Sequence, residues 1–153
     1  MRAGELCVRD VVTAFADESV IDVARRMAEF GVGDVVVVIA QRPSLPRPIG
    51  IVTDRDLVVH VLARTDRRPA EVKVADVMRR ELVVAREDDD IESVVAKMRA
   101  QAIRRIPIVD ERGGLQGMLS LDDVLGWMRD QIEATTKTVE RQGHGPLQRH
   151  PVP

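Results

Sequence analysis

The stretch GIVTDRDL at residues 50–57 recurs, in the same order of residue types, as GMLSLDDV at residues 117–124. Each copy starts with glycine, runs through two apolar residues to a hydroxyl residue, and places an aspartate three positions later. This pattern predicts a strand that ends at Thr53 or Ser120 and a helix that begins there. Two copies of one such signal indicate a duplicated structural unit.

Helix and strand patterns upstream of both copies match each other at an offset of 71 residues. The apolar runs at 35–38 and 106–109 are typical of short buried strands. The apolar positions of the two preceding helices follow the i, i+3, i+4, i+7 spacing of one helical face, namely Val20, Val23, Ala24 and Met27, and Ile91, Val94, Val95 and Met98.

Two loop differences are predicted between the units. The loop at 41–48 is longer than the turn at 113–114, which shortens the offset to 67 at the hydroxyl motifs. The pair at 10–11 matches the pair at 76–77 at an offset of 66 rather than 71. This match implies that the second unit carries an insertion of about five residues near 79–83. Such differences are expected, because duplicated units diverge mainly in their loops.

Each unit is predicted to contain a short leading strand, a helix, two strands and a closing helix, an α+β fold of α/β type. We place the first unit at 7–63, a polar linker at 64–72 and the second unit at 73–130. Residues 131–153 are predicted to form a helical extension, apolar on one face to about Ile132, and then a mobile tail.

Composition limits the classes of partner. A net charge of -2 disfavours nucleic acid and anionic membranes as partners, and an aromatic content of 2% offers no stacking platform for single-stranded nucleic acid. The single cysteine, Cys7, excludes an internal disulfide. With no signal peptide or membrane span apparent, we expect a cytoplasmic protein.

The repeated hydroxyl-x-x-Asp motif has two interpretations. As a capping box, Thr53 and Ser120 would bind first-turn amides, and Asp56 and Asp123 would face the positive end of the helix. Alternatively, the same helix start would suit a phosphate, while an aspartate one turn further on would accept from the hydroxyls of a ribose. The motif alone leaves both interpretations open.

The duplicated unit closely resembles the cystathionine-β-synthase (CBS) domain. The resemblance rests on GIVTDRDL at 50–57 and on IRRIPIVD at 103–110, and it covers about residues 7–130 in both units. It implies two pseudo-symmetric repeats packed as one module with two clefts. It also implies a ligand such as AMP, ADP, ATP or S-adenosylmethionine, and no catalytic cofactor.

The resemblance assigns candidate nucleotide-binding residues position by position. Asp56 and Asp123 match the family's ribose ligands, and Thr53 and Ser120 match hydroxyls near the phosphates. The other candidates are the motif glycines, the basic pair that approaches phosphate and the two residues that would wall the adenine, namely Gly50, Gly117, Arg104, Arg105, Ile106 and Pro107.

The first repeat departs from the family pattern where the second has Arg104 and Arg105. It carries Gly33 and Asp34 there, and an aspartate would repel a phosphate. We therefore expect one good site rather than two, although the sequence leaves open which cleft is the weaker.

No enzyme is predicted, because the sequence places no nucleophile beside a base. The acidic run at 88–90 is interpreted as capping charge for the following helix rather than as a metal site. The expected function is that of a stand-alone regulatory sensor of adenine nucleotides, which acts in trans or through a change of oligomer. The alternative is a ligand-free scaffold that mediates dimerisation or binds an unidentified protein. The apolar residues Leu125, Trp127, Met128 and Ile132 could be plain core, but because their apolar face extends past the second unit we predict a homodimer contact there.

Overall fold

The computed structural model describes residues 1–40, 42–64 and 66–143. The first half contains α1 (Ala3–Leu6), β1 (Thr13–Ala14), α2 (Val20–Phe30), β2 (Asp34–Ile39), β3 (Arg47–Thr53) and α3 (Asp54–Leu57). A π-helical turn (Val58–Leu62) continues α3, and a 3-10 turn (Pro69–Glu71) leads to the second half. That half contains α4 (Val74–Val77), β4 (Ala85–Arg86), α5 (Ile91–Ala100), β5 (Arg105–Val109), β6 (Leu115–Ser120) and α6 (Leu121–Gly143).

Each half forms one three-stranded sheet with the same topology. The order is β1-β2-β3 in the first half and β4-β5-β6 in the second. In both sheets the first pair of strands is parallel and the second pair is antiparallel. The predicted fold of two pseudo-symmetric β-α-β-β-α repeats is therefore confirmed. The predicted mobile tail lies outside the described residues from 144 onward.

The two long helices of the repeats begin and pack differently in detail. Ser19 caps α2, because its Oγ accepts from Ile21 N at 3.1 Å. Asp90 occupies the equivalent cap position of α5, but its side chain accepts no capping bond. The predicted apolar faces are buried in both helices, except that Val95 is only half-buried and Ala24 is exposed. The prediction was wrong there because Ala24 lies about 100° around the helix from Val23.

Each half has its own apolar core between its sheet and its helices. The first core includes Val23, Met27, Val35, Val37 and Val52, and the second includes Val94, Met98, Ile106, Ile108 and Leu119. Val36, Val38 and Val109 are also buried, yet they belong to neither core. Since strand side chains alternate between faces, both surfaces of the sheets are covered.

The leading segments of the halves are exchanged, because each packs onto the opposite half. Ala3 N donates to Asp89 O at 2.9 Å, and the equivalent Val74 N donates to Glu18 O at 3.0 Å. Consequently α1 contributes to the second core and α4 to the first. Neither core is complete without the other repeat, so the halves form one module.

The exchange of α1 and α4 shows that the predicted alignment of residues 10–11 with 76–77 is wrong. The short helices α1 and α4 are equivalent, and both carry an acid that completes a capping box, Glu5 in α1 and Asp76 in α4. Their positions keep the offset of 71, so the insertion predicted near 79–83 is wrong. The Asp-Val pair at 10–11 resembles 76–77 in residue type, whereas capping and burial align Glu5 and its neighbours instead.

The long closing helix α6 extends the apolar face of the second repeat beyond the sheet. Leu125, Met128 and Ile132 are exposed on it. No helix among the described residues is long and apolar enough to cross a membrane.

Candidate functional site

The first hydroxyl motif forms a reciprocal capping box at the junction of β3 and α3. Thr53 Oγ1 accepts from Asp56 N at 3.1 Å. Asp56 Oδ2 in turn accepts from Thr53 N at 3.0 Å and from Thr53 Oγ1 at 2.9 Å. The capping interpretation therefore accounts for one carboxylate oxygen of Asp56.

The second motif repeats this geometry at the start of α6. Asp123 N donates to Ser120 Oγ at 3.1 Å, and Asp123 Oδ2 accepts from Ser120 N at 2.9 Å and Ser120 Oγ at 2.5 Å. The capping bonds fix the orientation of both carboxylates, so the other oxygen, Oδ1, distinguishes the two motifs.

The two Oδ1 atoms have different surroundings. Asp56 is only 3% exposed, and its Oδ1 accepts from Arg79 Nε at 3.3 Å and Arg79 Nη2 at 3.2 Å. Asp123 is half-buried, and among the residues that the structure describes no donor lies within hydrogen-bonding distance of its Oδ1. Asp123 thus retains a free acceptor, whereas both oxygens of Asp56 are bound.

The basic pair of the second repeat lies next to acidic residues. Arg105 donates to Asp34 of the first repeat in an ion pair, and Arg104 Nη2 lies 3.4 Å from Asp122 Oδ1. In the sheets, Asp34 is paired with Thr53 and Arg105 with Ser120. The Arg105–Asp34 pair therefore brings the two hydroxyl motifs to one junction between the repeats.

The motif glycines lie where another chain segment approaches the strand closely. A Cβ at Gly50 would lie 2.8 Å from Arg79 O, and one at Gly117 would lie 2.8 Å from Val8 O and 2.6 Å from Cys7 Sγ. Both positions therefore need glycine for packing, whatever the cleft binds.

The predicted adenine wall divides between two faces of β5. Ile106 is fully buried in the second core, where its side chain has no surface to offer a ligand. Pro107 is also buried, but strand alternation directs it to the opposite face. Of the two, only Pro107 lies on a face directed away from the core.

Sequence reasoning missed Arg79 and the partner of Arg105. The wrong local alignment hid the equivalence of Arg79 with Val8. An offset of 71 maintained from the first residues would have revealed an arginine and a valine at matching positions, although the ion pair itself needed the folded chain.

A separate open depression of about 460 Å³ lies away from both motifs. It is lined by Pro43, Ser44, Leu45, Glu87, Asp110, Glu111 and Arg112. Backbone N–H groups of Gly114 and Arg112 lower the pKa of Asp110, so this acid stays charged. Three acids would repel a phosphate. Among the described residues, no three His, Cys, Asp or Glu side chains are grouped so that they could hold a metal ion.

Comparison with known proteins identifies the family. A model of the CBS domain matches residues 3–63 and 74–130. The chain is 38% identical, over 80% of its length, to the uncharacterized protein MK0525 of Methanopyrus kandleri, of which it covers 60%. It covers 60% or less of each of the first three curated relatives.

Solved structures share the arrangement of the repeats. A conserved protein from Pyrococcus horikoshii is 26% identical with a TM-score of 0.70, and the match covers 84% of this chain and 92% of that one. The cytosolic domain of the Mg²⁺ channel MgtE, solved in complex with ATP, is 28% identical with a TM-score of 0.67; the match covers 82% of this chain and 48% of that one. The chain therefore belongs to the CBS domain family and contains a tandem pair of its repeats.

Proposed function

We propose that this CBS pair binds an adenine nucleotide beside Ser120 and Asp123 and acts as a regulatory sensor. The observation that carries the proposal is the free Oδ1 of Asp123, next to an Oδ2 that the cap holds in place. A carboxylate oriented in this way needs no rearrangement before it accepts from a ribose hydroxyl, and preorganisation lowers the cost of binding.

Recognition of the ribose is the best-supported part of the proposal. A charged acceptor forms stronger hydrogen bonds than a neutral one, and partial burial reduces competition from water. Asp123 is half-buried and lies at the junction between the repeats, where a ligand would contact both. The site would therefore prefer a ligand with vicinal hydroxyls.

For the phosphate, the available cations are Arg104 and Arg105, which flank the start of β5. Arg105 would exchange Asp34 for a phosphate oxygen, so that binding alters a contact between the repeats. Pro107 would contact the base. A ligand that favours one arrangement of the repeats shifts the population toward it, and this supplies the regulatory output.

The related MgtE domain in complex with ATP supports an adenine nucleotide as the ligand class. AMP, ADP, ATP and S-adenosylmethionine are the candidates, and we propose that the ligand is bound without being chemically changed. We propose a cytoplasmic location, where all four of these candidate ligands would be available to the protein.

Isothermal titration of the protein with each candidate tests the proposal. Asp123→Ala should weaken binding by about tenfold or more, because it removes a charged acceptor. The matched control is Asp90→Ala, which alters an exposed aspartate at the start of another helix. Equal effects of the two variants, or no binding of any candidate at millimolar concentration, would refute a nucleotide site at Asp123.

A second candidate function, a homodimeric scaffold, is favoured by the apolar stripe on α6. Leu125, Met128 and Ile132 are exposed by 55%, 47% and 64%, and their spacing places them on one helical face. We propose that a second copy of the chain covers this stripe. A different protein partner is the other outcome.

Light scattering coupled to gel filtration tests the dimer. The 17.0 kDa chain should elute with twice that mass, and the double variant Leu125→Glu/Ile132→Glu should elute as a monomer. Ala134→Glu adds a charge to the opposite face and serves as the control. A wild-type monomer would rule out the dimer and would indicate that a different protein covers the stripe.

A further inference from the structure

Arg79 and Val8 occupy equivalent backbone positions in the two repeats. Val8 N donates to Met118 O, and Met118 N donates to Val8 O, both at 2.9 Å. Arg79 N donates to Ile51 O at 2.9 Å, and Ile51 N donates to Arg79 O at 3.2 Å. Each residue therefore forms a two-bond bridge to the strand that leads into its hydroxyl motif.

Their side chains have different consequences for that motif. Arg79 places two guanidinium nitrogens within 3.3 Å of Asp56 Oδ1. Val8 has no polar atom in its side chain, and Asp123 Oδ1 has no donor among the described residues. The same backbone bridge thus places a hydrogen-bond donor beside the carboxylate in the first repeat and an apolar side chain in the second.

A ribose would compete poorly for Asp56. Asp56 is 3% exposed, so its pairing with Arg79 compensates a nearly complete loss of hydration. Two neutral hydroxyls would have to replace a charge-assisted pair, which forms stronger hydrogen bonds than neutral groups do. The bridge between Arg79 and Ile51 also anchors the arginine beside the carboxylate.

We propose that Arg79 is a specificity-determining residue that closes the first cleft to nucleosides and leaves the cleft of Asp123 as the single site. This inference rests on the proposed function, because it assumes that a free carboxylate in this motif binds a ribose. The difference in nucleotide binding between the two clefts is thus attributed to the residue that faces the carboxylate, Arg79 or Val8. The residues expected to contact the phosphate contribute to the difference as well.

Two reciprocal variants test the assignment by isothermal titration with adenosine and with AMP. Val8→Arg should place a guanidinium beside Asp123 and weaken binding of both probes by about tenfold or more. Arg79→Val should raise the stoichiometry from one ligand per chain to two. Adenosine is included because it tests the ribose contact alone. AMP also carries a phosphate, and Asp34 would repel that charge.

Arg80→Val is the matched control, because it removes a neighbouring arginine whose Nη2 donates to Ala75 O at 3.2 Å and, within the described part of the chain, to no carboxylate. It should leave both affinity and stoichiometry unchanged. Unchanged binding in Val8→Arg would overturn the proposal, as would weaker binding in Arg79→Val, which would make Arg79 a ligand contact. If Arg79→Val does not fold, Val8→Arg decides, since Val8 is 49% exposed and its exposure leaves room for a longer side chain.

The titrations distinguish a failure of the nucleotide function from a failure of the role assigned to Arg79. If the wild-type chain binds neither AMP nor adenosine, the nucleotide function itself is refuted. If the wild-type chain binds one of them and Val8→Arg binds it equally well, the nucleotide function stands and the role of Arg79 is refuted.

Discussion

Arg105 and Asp34 occupy the same position of the two repeats, 71 residues apart, and form an ion pair with each other. Each is the first residue of the middle strand of its sheet. Residues related by an internal two-fold meet when they lie near its axis. The duplication thus allowed one position to become basic in one copy and acidic in the other, and the pair now joins the halves.

Asp34→Asn is expected to raise the affinity for AMP about fivefold while changing that for adenosine little, because the arginine loses a charged competitor for phosphate. Titration calorimetry at one fixed salt concentration measures both affinities. A fall in AMP affinity would mean that Asp34 orients Arg105 for the ligand rather than competing with it.

Gly50→Ala and Gly117→Ala are each expected to destabilise the fold by about 1–3 kcal/mol, because the new Cβ would overlap a backbone carbonyl. At these positions that atom would lie 2.8 Å from Arg79 O or Val8 O. Urea denaturation gives the free energy of unfolding.

Gly126→Ala is the control for these variants. Gly126 lies inside α6, and a Cβ there meets no atom within 4 Å. Alanine should therefore stabilise the chain by roughly 0.5–1 kcal/mol through its helix propensity. Destabilisation at Gly126 as well would show that close packing is not the cause at the strand glycines.

The Glu18–Arg26 pair should make stability depend on pH. Burial acts to raise the pKa of Glu18, but hydrogen bonds from Arg26, with Nη2 at 2.6 Å, and from Phe15 N outweigh it and lower that pKa. A lowered pKa in the folded state contributes stability above the pKa of the unfolded chain. That contribution is lost as the pH falls through the folded pKa.

Glu18→Gln should therefore reduce the free energy of unfolding by about 1 kcal/mol at pH 7 and by much less at pH 3. Urea titrations at the two pH values measure the difference, with the exposed Glu92→Gln as the control. A loss of equal size at both pH values would assign the effect to packing rather than to charge.

Cys7 should react slowly with alkylating reagents in the folded protein. Burial raises the pKa of its thiol, against the opposing charge of Arg9, so little reactive thiolate is present near neutral pH. Iodoacetamide at pH 8, followed by mass spectrometry, should modify Cys7 much faster in urea than in buffer. Equal rates would indicate that the N-terminal segment leaves the second core readily.

The sequence by itself determined the elements and the duplication. Apolar spacing predicted α2, α5 and the buried middle strands, and the motifs at Thr53 and Ser120 predicted where strand passes to helix. These features follow from local rules of periodicity and capping, which act within a few residues of chain.

Only the tertiary structure decided which groups meet across the repeats. The exchange of α1 and α4, the pairing of Arg105 with Asp34, and the contact of Arg79 with Asp56 join residues between 23 and 86 positions apart. No local pattern encodes such contacts, because they depend on how two completed sheets pack against each other. Although the two motifs read alike in sequence, the packing places Arg79 against the carboxylate of Asp56, and the apolar Val8 at the equivalent position leaves that of Asp123 open.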